Sequence, residues 1–224
     1  MSLKPVTTAQ LEQVRKMAKE KGIHLPLFQK ALDDGSFAKF LDSLKADEAT
    51  EYVPLSDARI EELTALATKA GARIHVLRRV RVKQNREWQE AVNLAGPNTP
   101  DHYNVRKSEV SGQYQPTSNK EIETDIVLLN YSKGDGNWDK GTAWGKEAKL
   151  NATNPREVFA IGEQKPDLHT ILGKNPMYVV APTECTFEGN RHACYVWWND
   201  SKREANLSWV SLFNDARDWF AFRE

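Results

Sequence analysis

Glu163-Gln164-Lys165 closes the apolar run Val158 to Ile161, and Asp125 stands upstream at the head of another apolar run. A carboxylate, one residue and a lysine at a strand end, with an upstream aspartate, is the pattern of metal-dependent nucleases. Two carboxylates hold a hydrated divalent ion there, and the lysine helps position the attacking water. Asp125, Glu163 and Lys165 are therefore the candidate catalytic residues of a nuclease or related hydrolase. The competing reading makes Glu163 and Lys165 ordinary solvated residues ahead of a helix starting near Pro166, with Asp167 and His169 close by.

Two further groups have the side chains of metal sites. If Gly189-Asn190 is a two-residue hairpin turn, Glu188 pairs with Arg191 and, counting outward, Cys185 pairs with Cys194. That places Cys185, Phe187, His192, Cys194, Val196 and Trp198 on one face, with Thr186, Tyr195 and Trp197 on the other. Cys185, His192 and Cys194 then share a surface suited to zinc or to a strained cross-strand disulfide, although a structural zinc wants four ligands. Cysteines acting as small core hydrophobes are the plainer expectation. Asp135, Asn137 and Asp139 in SKGDGNWDKG alternate like calcium-loop ligands. The glycine and glutamate of an EF-hand type loop each fall one residue late, which favours a surface turn.

Arg73, Arg78, Arg79, Arg81, Lys83 and Arg86 follow one another with no acid between them, whereas Asp42 to Glu62 is acidic. The basic stretch suits phosphate binding, with Trp88 or Tyr103 for stacking, or an electrostatic match within the chain. Seven tryptophans are many for 224 residues, and Trp197, Trp198, Trp209 and Trp219 crowd the end. Trp197 and Trp198 must face opposite sides of a strand, so one of them needs a cover outside the core. Arg73, Arg79, Arg81, Trp197 and Trp198 are the candidate binding residues.

These residues are carried by a helical front and a β-rich back. Thr7 to Gly22 reads as an amphipathic helix, and Leu27 to Gly35 and Phe37 to Leu44 as two shorter ones, together a small helical subdomain over 1–50. Ser56 caps a helix through Ile60, Leu63, Leu66 and Ala67 that stops at Gly71. From Arg73 a period of two puts Ile74, Val76, Val80 and Val82 on one face and Arg73, His75, Arg79 and Arg81 on the other. Asn85 caps a short helix ending at Gly96-Pro97. Strands are expected at Ile122 to Tyr131 and Glu157 to Ile161, helices at Thr142 to Leu150 and Pro166 to Leu172, and β-structure from Met177 on.

The runs GPNTPDHYNVRK (Gly96 to Lys107), VFAIGEQKPDLHTILG (Val158 to Gly173) and ECTFEGNRHACYVWW (Glu184 to Trp198), with WFAFRE at the end, resemble a group of uncharacterised bacterial proteins over about residues 55–224. The resemblance implies a recurring module and carries over no activity, cofactor or catalytic residue.

Lysine plus arginine, 31, balances aspartate plus glutamate, 31, so bulk charge selects neither nucleic acid nor an anionic membrane, and only local patches matter. No apolar run approaches the roughly 20 residues of a membrane span, and the N-terminus lacks a secretory core, so the expectation is a soluble, cytoplasmic chain with no membrane partner. Two cysteines make no disulfide framework. The fold expected is α+β: short helices, then a mixed, mostly antiparallel sheet over 55–224 with helices on one face and a Trp-rich end. Its function is read as a non-catalytic binding module for a protein partner or nucleic acid. No cofactor is expected, and a divalent metal enters only through the sites above.

Overall fold

The computed structural model describes residues 52–116 and 119–224, together with Lys16, Lys30 and Asp33 at helical positions. The chain divides into two compact units, Met1–Ala49 and Thr50–Glu224. Apart from those three positions, the three helices expected in the first unit lie outside the described residues; the sheet and the helices packed on it belong to the second.

The elements of the second unit are α1 (Asp57–Lys69), β1 (Arg73–Lys83), α2 (Trp88–Ala95), α3 (Ser108–Ser111), β2 (Glu121–Asn130), α4 (Trp138–Glu147), β3 (Asn151–Ala152), α5 (Pro155–Gln164), α6 (Leu168–Ile171), β4 (Met177–Phe187), β5 (Asn190–Trp198), β6 (Arg203–Trp209) and β7 (Asp218–Arg223). The class is α+β, as expected. The strands form one sheet in the order β1-β2-β7-β4-β5-β6, with β3 beside β7. Every pairing is antiparallel except β4 with β7.

Helices cover both faces of this sheet rather than the single face expected. Leu77, Val80, Val82, Ile126, Leu128, Val179, Val196 and Trp198 meet Trp88 and Val92 of α2 and Phe159 and Ile161 of α5 on the first face. Val127, Leu129, Phe220 and Phe222 meet Leu63 and Ala67 of α1 and Trp138 and Trp144 of α4 on the second. On that second face α4 approaches β7 closely because Gly141 and Gly145 stand where a Cβ would meet Phe220 at 2.8 Å and Phe222 at 2.2 Å. Each phenyl ring so buried is worth about 1.5–3 kcal/mol.

Helix α1 starts and stops as its sequence dictates: Ser56 accepts the Arg59 N–H, and Gly71 sits at φ 73°. Glu87 rather than Asn85 caps α2, and α4 begins four residues ahead of Thr142, at Trp138, because Asn137 caps it. The larger correction is Glu157 to Ile161, which is helix and not strand. Asn154 accepts the Glu157 N–H at 3.2 Å, the Glu157 carboxylate accepts the Asn154 N–H at 2.7 Å, and Pro155 fills the first turn. This reciprocal capping box fixes a helix where a short apolar run suits either element.

Two irregularities set which side chains share a face. In β1 the pairing passes from Leu77↔Ile126 to Val80↔Thr124, so Arg78 and Arg79 together oppose Asp125. This bulge reverses the alternation. Ile74 and Val76 pack on the second face while Val80 and Val82 pack on the first, contrary to the single stripe expected. In β4 the pairing passes from Val180↔Tyr195 to Glu184↔Ala193, leaving Ala181, Pro182 and Thr183 bulged.

The β4–β5 hairpin turns on Glu188-Gly189, at φ 49° and 74°, and Phe187 pairs with Asn190. Two successive left-handed residues make the type I′ turn that matches strand twist. The turn is therefore one residue earlier than Gly189-Asn190. Cys185 pairs with His192 instead of Cys194, and the direct cross-strand thiol pair does not form.

Candidate functional site

The bulge in β1 is built around Asp125. Its Oδ1 accepts the Tyr52 hydroxyl at 2.6 Å and the Arg79 backbone N–H at 2.9 Å. Its Oδ2 accepts the Leu55 N–H at 2.9 Å and Arg78 Nη1 at 2.6 Å. Burial alone pushes this carboxyl up, but the four hydrogen bonds outweigh it and hold the group below the usual carboxylate range. With both oxygens already taken, Asp125 organises backbone. Arg78 also donates to the Leu55 carbonyl at 2.6 Å, which ties the segment before α1 to the sheet.

Past the bulge, Arg79, Arg81 and Lys83 point to the second face along the outer edge of the sheet, each more than half exposed. Arg73, before the bulge, points to the first face, where its guanidinium lies 4.9 Å from the Trp219 ring and its Nε donates to Asn130. Of Arg73, Arg79 and Arg81, expected on one face, Arg73 is thus separated from the other two.

Arg79 and Arg81 share Glu123, at 2.7 and 2.9 Å, and Lys83 stands 3.6 Å from Glu121. The hydrogen bond from Arg79, helped by Arg81 and against desolvation, keeps the Glu123 carboxyl low. Among the described residues, the acids matching the basic strand therefore lie on β2, with Asp57 at 3.8 Å from Arg78 as the contribution from the acidic segment before it. Arg86, mostly buried, holds Glu163 at 2.5 Å and Glu90 at 3.5 Å.

The last turn of α5 reaches the same edge. Gln164 accepts the Arg81 backbone N–H at 3.1 Å and donates to the Arg81 carbonyl at 2.6 Å. Its side-chain amide occupies the place of a neighbouring strand. Arg79, Arg81, Lys83, Arg86, Glu121, Glu163, Gln164 and Lys165 line a groove of about 450 Å³. Two guanidiniums share one carboxylate, and Lys165 makes no ion pair among the described residues, so the outer rim keeps positive charge in excess.

The proposed catalytic trio is not brought together. Glu163 and Lys165 sit at the end of α5, which packs on the first face, whereas Asp125 is buried toward the second with Leu55. The spacing in sequence suits a nuclease site only if 157–161 is a strand.

Cys185 and Cys194 are free, buried and on the first face beside Tyr114. Burial pushes both thiols up, and the neighbouring Tyr114 hydroxyl donates to the Thr183 carbonyl at 3.1 Å. His192 shares their face, but its Nδ1 bonds the Asn190 carbonyl at 3.0 Å and its ring lies between Phe187 and Trp209. Asp135, Asn137 and Asp139 line one groove with Arg191. There Asn137 is committed to capping α4, and the Lys140 ammonium donates to the Asp135 carbonyl at 2.5 Å. Among the described residues no three His, Cys, Asp or Glu side chains form a group able to hold a metal ion.

Trp197 and Trp198 face opposite sides as expected. Trp198 is fully buried in the first-face core and offers no binding surface; Trp197 is half-buried beside Tyr178 and Glu204. Trp88, stacked on Tyr114, and Tyr103, packed beside the first-face core, serve the interior instead of a ligand. Sequence reasoning missed Gln164, Glu121 and Glu123; the run of acids in Glu121 to Asp125, alternating opposite the basic strand, was the available signal.

No helix among the described residues is long and apolar enough to cross a membrane. The fold and the groove define an α+β domain with a basic sheet edge. Comparison with protein-family profiles, curated proteins and solved structures finds no match for this chain.

Proposed function

We propose that this chain is a non-catalytic binding module that holds an anionic partner along the β1 edge. The observation that carries the reading is a row of three exposed cations, Arg79, Arg81 and Lys83, on an edge strand whose backbone is closed by Gln164 at Arg81. A partner arriving there meets guanidinium and ammonium groups, with Lys165 lining the same groove. Such groups attract anions over roughly 10 Å at 0.1 M salt and lose that reach as salt rises. The commitment of Asp125 to the bulge supports binding over catalysis at this edge.

Retention on a sulfated-polysaccharide column tests the reading. Although the chain has a formal net charge of zero, the wild type is expected to bind at low salt and elute as salt rises. The Arg81→Glu, Lys83→Glu double variant is expected to flow through while keeping its circular dichroism. Flow-through of the folded wild type at low salt would sink the proposal.

A further inference from the structure

Resting on the anionic-partner reading, we infer that the β1 groove takes the phosphodiester backbone of a single-stranded nucleic acid. Three features select this class among anions. The first is the closed edge. An acidic peptide binds a sheet edge chiefly by adding a strand, and its main-chain hydrogen bonds supply the affinity. At Arg81 both backbone groups are already satisfied by Gln164, and at Arg79 the N–H is held by Asp125. A ligand here gains its contacts from side chains, which suits phosphates spaced along a backbone.

The second feature is the geometry of the cations. Arg79, Arg81 and Lys83 alternate along an edge strand on one side, so successive charges stand about 6.6 Å apart. Arg86 and Lys165 line the same groove. One row of cations facing one narrow groove accommodates one backbone. A duplex presents two phosphate rows across grooves about 6 and 12 Å wide, and it is read by a helix or two-stranded ribbon projecting into the larger one. Among the described residues the β1 edge has no such projection.

The third feature is an aromatic ring beside the row. The half-buried Tyr52 ring lies 5.4 Å from the Arg79 guanidinium and is pinned through its hydroxyl to Asp125. Aromatic faces next to a basic groove are how single strands are held with little sequence preference, because every base has a face to stack.

Glu123 gives the inference a distinctive test. It neutralises half of the Arg79 and Arg81 pair, so removing its charge frees guanidinium for phosphate. The measurement is fluorescence anisotropy of a labelled oligothymidylate of about 12 nucleotides, within the span of known single-strand sites. A duplex of equal length and a polyglutamate peptide are titrated in parallel, all against the full chain.

The single strand is expected to bind tightest. Three phosphate contacts give a slope of about −2 in log affinity against log salt. Arg81→Glu is expected to weaken binding roughly tenfold, and Glu123→Gln to tighten it roughly threefold. Duplex binding as tight as single-strand binding overturns the inference, and so does an unchanged affinity for a folded Glu123→Gln. Binding of polyglutamate without the oligonucleotide overturns the nucleic-acid inference and leaves the anionic reading standing; no binding by any probe removes both.

Discussion

Asp125 accepts the backbone N–H of Arg79 at 2.9 Å, so a carboxylate on β2 does for the bulge in β1 what a ladder hydrogen bond does elsewhere. Asp125→Ala leaves the buried N–H of Leu55 and that of Arg79 without acceptors, and the Arg78 guanidinium without its closest carboxylate. Each orphaned group costs about 1–3 kcal/mol, so urea denaturation is expected to show a loss of roughly 3 kcal/mol. A loss below about 1 kcal/mol would mean the bulge stands without this anchor.

The same carboxylate shapes the acid limb of stability. Its folded pKa lies below its unfolded one, so its contribution is present above the ordinary carboxylate range and is lost as pH falls through the depressed folded value. Unfolding midpoints measured downward from pH 5 are expected to fall more steeply in the wild type than in Asp125→Asn. Parallel curves would assign the acid limb to other groups.

Asp218 acts in the opposite sense. Burial on β7 raises its carboxyl to about 6, against the hydrogen bond from the Asp215 N–H. The folded chain then binds a proton that the unfolded chain, near 3.8, does not. Stability is therefore expected to fall as pH rises from about 4 to about 6, by an amount on the order of 2 kcal/mol. Asp218→Asn keeps an acceptor for Asp215 and should flatten this window in urea titrations. A wild type already flat between those pH values would refute the assignment.

Gly145 sits where an added Cβ would come within 2.2 Å of the Phe222 ring. Replacing it by alanine raises helix propensity yet forces α4 away from β7, and overpacking of this kind costs about 1–3 kcal/mol. A lowered thermal midpoint for Gly145→Ala is expected. A raised one would show that β7 yields easily.

The two thiols give a readout of the core. Both are buried with pKa values raised by burial, so little thiolate is available in the folded chain. Ellman's reagent is expected to label Cys185 and Cys194 at the rate of unfolding, and rapidly in denaturant. Fast labelling of the native chain would place a sulfur at the surface.

Much of the fold was legible because local signals carried it. Ser56 and Gly71 bound α1, and the β-rich stretch from Met177 yielded β4 to β7. Misreadings arose where partners distant in sequence decide. The bulge in β1 depends on Asp125, which carries no mark in the basic strand itself, so a period of two groups Arg73 with Arg79 and Arg81 although they face opposite ways. A type I′ turn favours asparagine, aspartate or glycine at its first position, whereas Glu188 takes the left-handed conformation there. The helix at α5 was signalled by Asn154 and Glu157, but the run Val158 to Ile161 masked it. Of the groove, the cations and Glu163 were picked out, whereas Glu121 and Glu123, which temper Arg79, Arg81 and Lys83, were missed.

The position of β7 bears on how the chain is made. This strand, last in order, lies between β2 and β4, and joins the half-sheet β1-β2 to the half-sheet β4-β5-β6. On the ribosome, both halves are translated before their common seam exists. Only when Asp218–Arg223 clears the exit tunnel can the sheet become continuous, so this domain completes its architecture after most of its length has been synthesised.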